Sequence, residues 1–293
     1  MTLSPQRIVA EEFDIELATG RIHAQRFGPE GAPLVLGLPG LSANIKSFDF
    51  IGEHVSGDVQ LVAVDLRGRG RSAGTPPGTY GWVNHARDVF ALADSLSAKR
   101  FSIVGHSMGA GVAMACAFQD ASRIERMVLV DACGTPDISA VGPIGAAVNR
   151  LGAVYPSNDA FIGMLRQIGT IAPWSDHWQR YFEYELQPVE GGVASRTDRQ
   201  AVLEDAAFGA GVFAFGDGAG VYSLWSHLTM PVLLLRAARE LLPGFGHIVS
   251  ERDRDRFARE VPTARVIEVD ANHYGIATHE DTASAIDLFL HQP

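Results

Sequence analysis

The chain has 293 residues, 46% of them hydrophobic and 20% charged, with no low-complexity tract. A globular chain of this length buries a core that needs no disulfide or metal staple. Its net charge of −10 argues against nucleic acid or an anionic membrane surface as the main partner, and two cysteines, Cys116 and Cys133, make no disulfide framework and fit a reducing cytosol.

At the N-terminus, MTLSPQRIVAEEFDIE lacks the basic start and apolar stretch of a secretory signal. Nowhere do about 18 apolar residues run together, so no spanning helix is expected and the protein reads as cytoplasmic. Short apolar or β-branched runs predict strands at 21–27, 33–38, 60–65, 101–105, 126–131, 231–236 and 264–269. The later runs are nearly continuous in apolar residues, as strands buried on both faces of a parallel sheet must be. Helical patterns lie between them at 44–56, 80–98, 107–119, 251–261 and 278–291. In the second, Val83, Ala86, Val89, Phe90 and Ala93 make one amphipathic face. The expected fold class is α/β, a mostly parallel twisted sheet flanked by helices.

One segment breaks the rhythm. From about Gly134 to Leu228 no convincing strand appears, and helix-like pieces alternate with Gly/Pro punctuation. Aromatic residues concentrate there: Phe161, Trp174, Trp178, Tyr181, Phe182, Tyr184, Phe208, Phe213, Phe215, Tyr222 and Trp225. The expected organisation is a core made of 1–133 and 229–293, with 134–228 a mostly helical cap over one end of the sheet.

The chemistry starts at FSIVGHSMGAGVAMACA, residues 101–117. A strand enters and a helix leaves, with Ser107 at the corner between Gly105 and Gly109. Such a corner strains the serine backbone and lifts its hydroxyl at the carboxyl edge of the sheet, where open α/β sheets bind ligands. The glycines relieve crowding around it, and Gly111 lets the helix approach the sheet. The helix N-terminus favours negative charge, so the Met108 N–H can face a developing oxyanion. His106 is adjacent to Ser107 but points elsewhere and is expected to pack at the corner. Cys116, in the small-residue run, is expected to be buried packing.

LPGLSAN (38–44), DLRGRGRS (65–72), GHSMG (105–109), LVDACG (129–134) and DANHYGI (270–276) occur in the order found in the α/β-hydrolase superfamily. The chain resembles its cap-bearing serine hydrolases. The resemblance spans roughly residues 20 to 290. It implies the α/β-hydrolase fold, a Ser–acid–His triad and an oxyanion hole, and leaves the substrate undefined.

In that chain order the base is a late histidine, and His273, in the loop after 264–269 and before the last helix, is placed to be it. His279 falls at a helix start and His247 in a surface loop. Resemblance places the orienting acid after either the sixth or the seventh strand, and both positions are occupied. Asp131 ends RMVLVD, whereas Glu240 sits in LLLRAARELLP, where the usual glycine turn is lost. Asp131 is favoured and Glu240 is the alternative acid; Asp270 is too near His273 in sequence to serve well. By resemblance the second oxyanion donor is Leu41 N–H, with Gly40 allowing close approach. Pro39 stands where most relatives carry a histidine that braces this loop.

Other features are read as structural. The three arginines of DLRGRGRS lack the glycine-rich pattern with lysine of a phosphate cradle, and Asp65 with Ser72 is expected to fix that loop. The run ERDRDR (251–256) reads as a solvated helix face. No metal-ligand spacing and no dinucleotide fingerprint occur, so no metal and no cofactor are expected. Trp174, Trp178, Phe182 and Trp225 are expected to line the substrate pocket.

These readings imply a serine hydrolase that cleaves a carboxylic ester or lactone of small to medium, apolar character through an acyl-enzyme. Two rivals stay open: carbon–carbon bond hydrolysis or cofactor-free oxygenation on the same scaffold, and a hydrolase-like small-molecule receptor. The expected partner is a small-molecule substrate, with neither nucleic acid nor membrane, and a homodimer is left open.

Overall fold

The structure, a computed structural model, describes residues 10–55, 57–209 and 220–292. Ten strands and nine α-helices are assigned among them. In chain order they are β1 (Glu11–Leu17), β2 (Gly20–Phe27), β3 (Leu34–Leu38), α1 (Asp49–His54), β4 (Gln60–Val64), α2 (Trp82–Ser95), β5 (Phe101–His106), α3 (Met108–Asp120) and β6 (Ile124–Val130). Then come α4 (Val141–Asn149), α5 (Asn158–Ile168), α6 (Asp176–Glu185), β7 (Leu186–Val189), β8 (Gly192–Ser195) and α7 (Arg199–Gly209). The chain closes with β9 (Val232–Ala237), α8 (Glu251–Glu260), β10 (Ala264–Val269) and α9 (Glu280–Leu290).

Eight strands form one sheet in the order β1-β2-β4-β3-β5-β6-β9-β10. β1 and β2 pair antiparallel, as do β2 and β4, and every other pairing is parallel. Every residue of β3, β4, β5 and β9 is buried, the reason these strands read as continuous apolar runs. Their alternate residues feed two separate cores. Leu36, Val62, Ile103 and Leu234 pack with α2, α3 and Phe257 of α8, whereas Val35, Leu61, Val104 and Leu235 pack with α1 and α9. The result is a sheet sandwiched between helical layers.

β1 is not among the expected strands, because its sequence, EEFDIEL, is mostly acidic. Only Phe13, Ile15 and Leu17 turn inward, a strict two-residue alternation on a solvated edge. A second correction concerns 134–228, where no strand is expected. β7 and β8 form a hairpin there, closed at Gly191 (φ 84°) and Gly192 (φ 148°), conformations that side-chain-bearing residues avoid. Among the aromatic residues expected in that segment, Phe213, Phe215 and the side chain of Phe208 lie outside the described residues. Among the described residues, no helix is long and apolar enough to cross a membrane.

The segment between β6 and β9 has its own small core of Phe161, Ile162, Trp178, Tyr181, Phe182 and Leu186. It seats on the sheet domain through α7: the Asp198 N–H donates to the Gly68 carbonyl at 2.8 Å. A Cβ at Gly68 would lie 2.8 Å from the Ala201 Cβ, so the helix rests directly on the loop after β4.

Candidate active site

β3, β5, β6, β9 and β10 run parallel, so the loops that leave their carboxyl ends share one rim. Leu41 follows β3, Ser107 follows β5, Asp131 follows β6 and His273 follows β10.

Ser107 has φ 55° and ψ −121°, a backbone conformation that costs a non-glycine residue about 1–3 kcal/mol. Packing holds it there. A Cβ on Gly109 would collide with the Leu38 carbonyl, and one on Gly105 with the Gly109 carbonyl, so only glycines admit this corner. The Ser107 N–H also donates to the Val130 carbonyl at 2.9 Å, pinning the turn to β6.

The half-buried Ser107 Oγ lies 3.0 Å from His273 Nε2, and His273 Nδ1 lies 2.8 Å from Asp131 Oδ2. A carboxylate oxygen only accepts, so Nδ1 carries the proton and Nε2 is left to accept from the serine hydroxyl. Asp131 has φ 49°. Its N–H donates to the Leu235 carbonyl at 2.7 Å, and its Oδ1 accepts from Ala237 N–H at 2.9 Å. Both carboxylate oxygens are thus used, in a residue that is 1% exposed.

Glu240, the alternative acid, is not brought to His273. It is exposed, and its carboxylate accepts from Gly244 N–H at 2.7 Å. Asp270 is also turned away, in a two-bond pair with Arg239 at 2.7 Å for each contact. His279 Nδ1 accepts the Asp281 N–H at the start of α9. His247 bonds the Ala238 carbonyl at 3.3 Å.

His106 stacks on His273, with ring centroids 4.8 Å apart, and its Nε2 donates to the His273 carbonyl at 3.1 Å. Burial, then the neighbouring His273, lowers its pKa to about 3. It is therefore a neutral platform under the His273 ring and not a second base. Burial pushes the Cys116 and Cys133 thiols upward, so neither is a thiolate.

The loop after β3 passes directly over the serine. A Cβ on Gly40 would lie 3.3 Å from the Ser107 Cβ and 3.7 Å from its Oγ. Met108 opens α3, where a helix leaves its first N–H groups without intrahelical acceptors. The structure thus brings Leu41, Ser107, Met108, Asp131 and His273 to one rim.

Of the four expected wall residues, three cluster beside this rim. Trp174 stacks on Phe182 at 5.6 Å, Trp178 meets the Tyr274 ring edge-on at 6.4 Å, and Tyr274 stands edge-on to His273 at 5.6 Å. Trp225 is a correction. It packs in the sheet core against Phe257, and its Nε1 donates to the Cys133 carbonyl at 2.7 Å, because its apolar helical turn docks on α3 and α8. Tyr274 joins this cluster without being among the expected wall residues; its place directly after His273 is the signal that points to it.

The three arginines after β4 all have acidic partners. Arg67 pairs with Asp88 at 2.6 Å, Arg69 with Asp205 at 2.6 Å and Arg71 with Glu12 at 2.9 Å. Asp65 fixes the same loop by accepting from Ile45 N–H and Arg71 N–H, both at 2.9 Å, and from the Tyr184 hydroxyl at 2.5 Å. Among the described residues, no group of three or more His, Cys, Asp or Glu side chains is arranged to hold a metal ion.

A family model described as the alpha/beta hydrolase family matches residues 35–285. N-formylmaleamate deformylase of Pseudomonas putida is 35% identical over 122 residues, 42% of this chain and 44% of that protein. A serine hydrolase-like protein of Danio rerio is 34% identical over 134 residues, 45% of this chain and 41% of that protein. The chain therefore spans less than half the length of these curated relatives. The crystal structure of E-2-(acetamidomethylene)succinate hydrolase superposes with a TM-score of 0.84 at 23% identity, covering 97% of this chain and 100% of that one.

Proposed function

Because the chain belongs to the alpha/beta hydrolase family, we propose that it is a serine hydrolase in which Ser107 attacks a carbonyl and forms an acyl-enzyme. The observation that carries this reading is the unbroken relay from Ser107 Oγ to His273 at 3.0 Å and from His273 to Asp131 at 2.8 Å.

As Oγ adds to the carbonyl carbon, His273 Nε2 takes the hydroxyl proton. Asp131 holds the ring in the correct tautomer and offsets the imidazolium charge. Leu41 N–H and Met108 N–H receive the oxyanion, each worth about 100- to 1,000-fold in kcat. Collapse of the tetrahedral intermediate breaks the bond to the leaving group, which departs with the proton from His273. Water, deprotonated by the same Nε2, then attacks the acyl-enzyme; the carboxylic acid leaves and Ser107 recovers its proton.

The bond cleaved is a carboxylic ester or lactone C–O bond, and the segment 134–228 acts as a cap that supplies an apolar wall from Trp174, Trp178 and Phe182, continued by Tyr274 from the loop after β10. Supporting an apolar substrate is the clustering of these rings with Phe161 and Tyr181 beside the rim. A second reading, cleavage of an acyl C–N bond, draws support from the relative named as a deformylase. In that case His273 must protonate the departing nitrogen before collapse.

A panel of activated esters, lactones, formamides and amides, assayed with the wild-type protein and with Ser107→Ala, tests both readings. Turnover of one of these classes that disappears in Ser107→Ala is the expected result. Activity that survives in Ser107→Ala points instead to His273 acting as a base on the substrate, as carbon–carbon hydrolysis or oxygenation requires. A wild-type protein that binds the panel and turns none of it over is a receptor.

A further inference from the structure

Arg69 is among the largest side chains that the fold buries completely. Its Nε and Nη2 both donate to the Leu41 carbonyl, at 3.1 and 3.0 Å, and its Nη1 donates to the Arg67 carbonyl at 3.0 Å. The guanidinium is neutralised from α7, where Asp205 Oδ2 lies 2.6 Å from Nη2 with neither side chain exposed. Asp205 is itself fixed to the sheet domain: Oδ2 accepts from His85 Nε2–H at 2.9 Å and Oδ1 from Gly81 N–H at 2.6 Å. Burial works against its ionisation, and the His85 and Arg69 contacts outweigh it, leaving Asp205 below the ordinary carboxylate range.

The Leu41 side chain is held independently. It packs against Val148 and Leu151 from the α4 region and Val202 from α7. Two of the four substituents on the Leu41 Cα are therefore gripped, the side chain by an apolar socket and the carbonyl by a guanidinium fork. A tetrahedral centre with two arms fixed has its third placed too, so the Leu41 nitrogen is held. The Gly40 carbonyl, in the same peptide plane as Leu41 N–H, accepts from Ala43 N–H at 3.1 Å, which sets the direction of that N–H. Pro39, two residues earlier, carries no side-chain donor that could do this work.

We propose that Arg69 is a positioning residue that aims Leu41 N–H at the reacting carbonyl oxygen, and that Asp205 of α7 is its anchor. The inserted segment then contributes to the oxyanion hole itself and not only to the substrate wall. This inference rests on the reading of Ser107 as nucleophile and Leu41 as oxyanion donor.

The test uses Arg69→Lys, which keeps a positive charge but cannot fork onto the carbonyl, and Asp205→Asn, which keeps the shape but removes the anchor's charge. For each variant that unfolds cooperatively on heating, kcat and KM are measured on the best substrate from the panel. The inhibition constant of a boronic acid is measured alongside, since its tetrahedral adduct on Ser107 presents an oxygen to the hole. Misaiming one oxyanion donor is expected to lower kcat about 100-fold in Arg69→Lys, with KM changed less than about threefold and boronate affinity falling in parallel with kcat. Asp205→Asn is expected to show the same pattern at about tenfold, and it decides the matter if Arg69→Lys does not fold. A folded variant that keeps kcat within threefold, or that moves KM alone, overturns the brace. A wild-type protein that neither turns over the panel nor binds boronate at Ser107 overturns the underlying reading instead, so the two failures are separable.

Discussion

In the sheet, β3, β4, β5 and β9 bury every residue, whereas the segment between β6 and β9 combines a small aromatic core with buried ion pairs. Arg150 and Glu185 form a two-bond pair with Glu185 fully enclosed. Arg69 and Asp205 form another across the junction. Burial of apolar surface is non-directional and tolerates volume-conserving change. A buried ion pair does not tolerate losing one member, because the partner is left charged and unsolvated. The contrast teaches that the strands leading to the candidate site are held mainly by forgiving apolar burial, whereas the segment set against them depends also on charge pairs whose members stand or fall together.

The largest effect expected from breaking this comparison falls on the sheet side and spares the fold. Ser107→Ala and His273→Ala are each expected to lower kcat by about 10,000-fold or more, with circular dichroism unchanged. A stopped assay on the best panel substrate measures the loss. Asp131→Asn comes next, with a loss of about 10,000-fold in kcat because the wrong tautomer of His273 is stabilised. Glu240→Gln, on the exposed loop, is expected to stay within about twofold, the range of a surface substitution. The reverse pattern would move the acid's role to Glu240.

On the insertion side the expected loss is in stability. Glu185→Gln is expected to lower the free energy of unfolding by about 3–5 kcal/mol, while the double change Arg150→Met with Glu185→Leu costs far less, because both charges leave together. Urea denaturation of the two variants measures the difference. Equal losses would mean that the pair holds the segment by shape alone.

A further expected effect concerns acid. His106 has its pKa lowered to about 3 in the folded protein, against about 6.5 in the unfolded chain. The unfolded state therefore binds the extra proton between these values, and stability falls as pH drops from about 6.5 toward 3, by up to about 1.4 kcal/mol per unit. Above pH 6.5 this contribution is constant. His106→Gln is expected to flatten that slope by about one proton, read from unfolding free energies at pH 7.5 and pH 5. An unchanged slope would mean that His106 titrates normally.

What could be read from the amino acids follows the same division. The elbow at Ser107 and the loops carrying Asp131 and His273 stand next to short strands rich in apolar and β-branched residues, so local pattern marks both the element and its end. Three signals were weaker. β1 hides in an acidic stretch, and Trp225 looks like any other aromatic of its segment although its helical turn packs on α3. The pairing of Arg69 with Asp205 leaves no periodic trace, because two residues that meet only in the folded chain write nothing into their own surroundings. The β7–β8 hairpin does leave a trace, the glycine pair at 191–192, but its strands of four residues each are too short for an alternation to stand out.

The account stands most directly on the state of Ser107. Incubating the protein with a fluorophosphonate and mapping the peptides by mass spectrometry should give one adduct per chain, located on Ser107, that does not form in His273→Ala over the same time. Stoichiometric labelling at any other residue, or equal labelling of Ser107 with and without the imidazole, would contradict it.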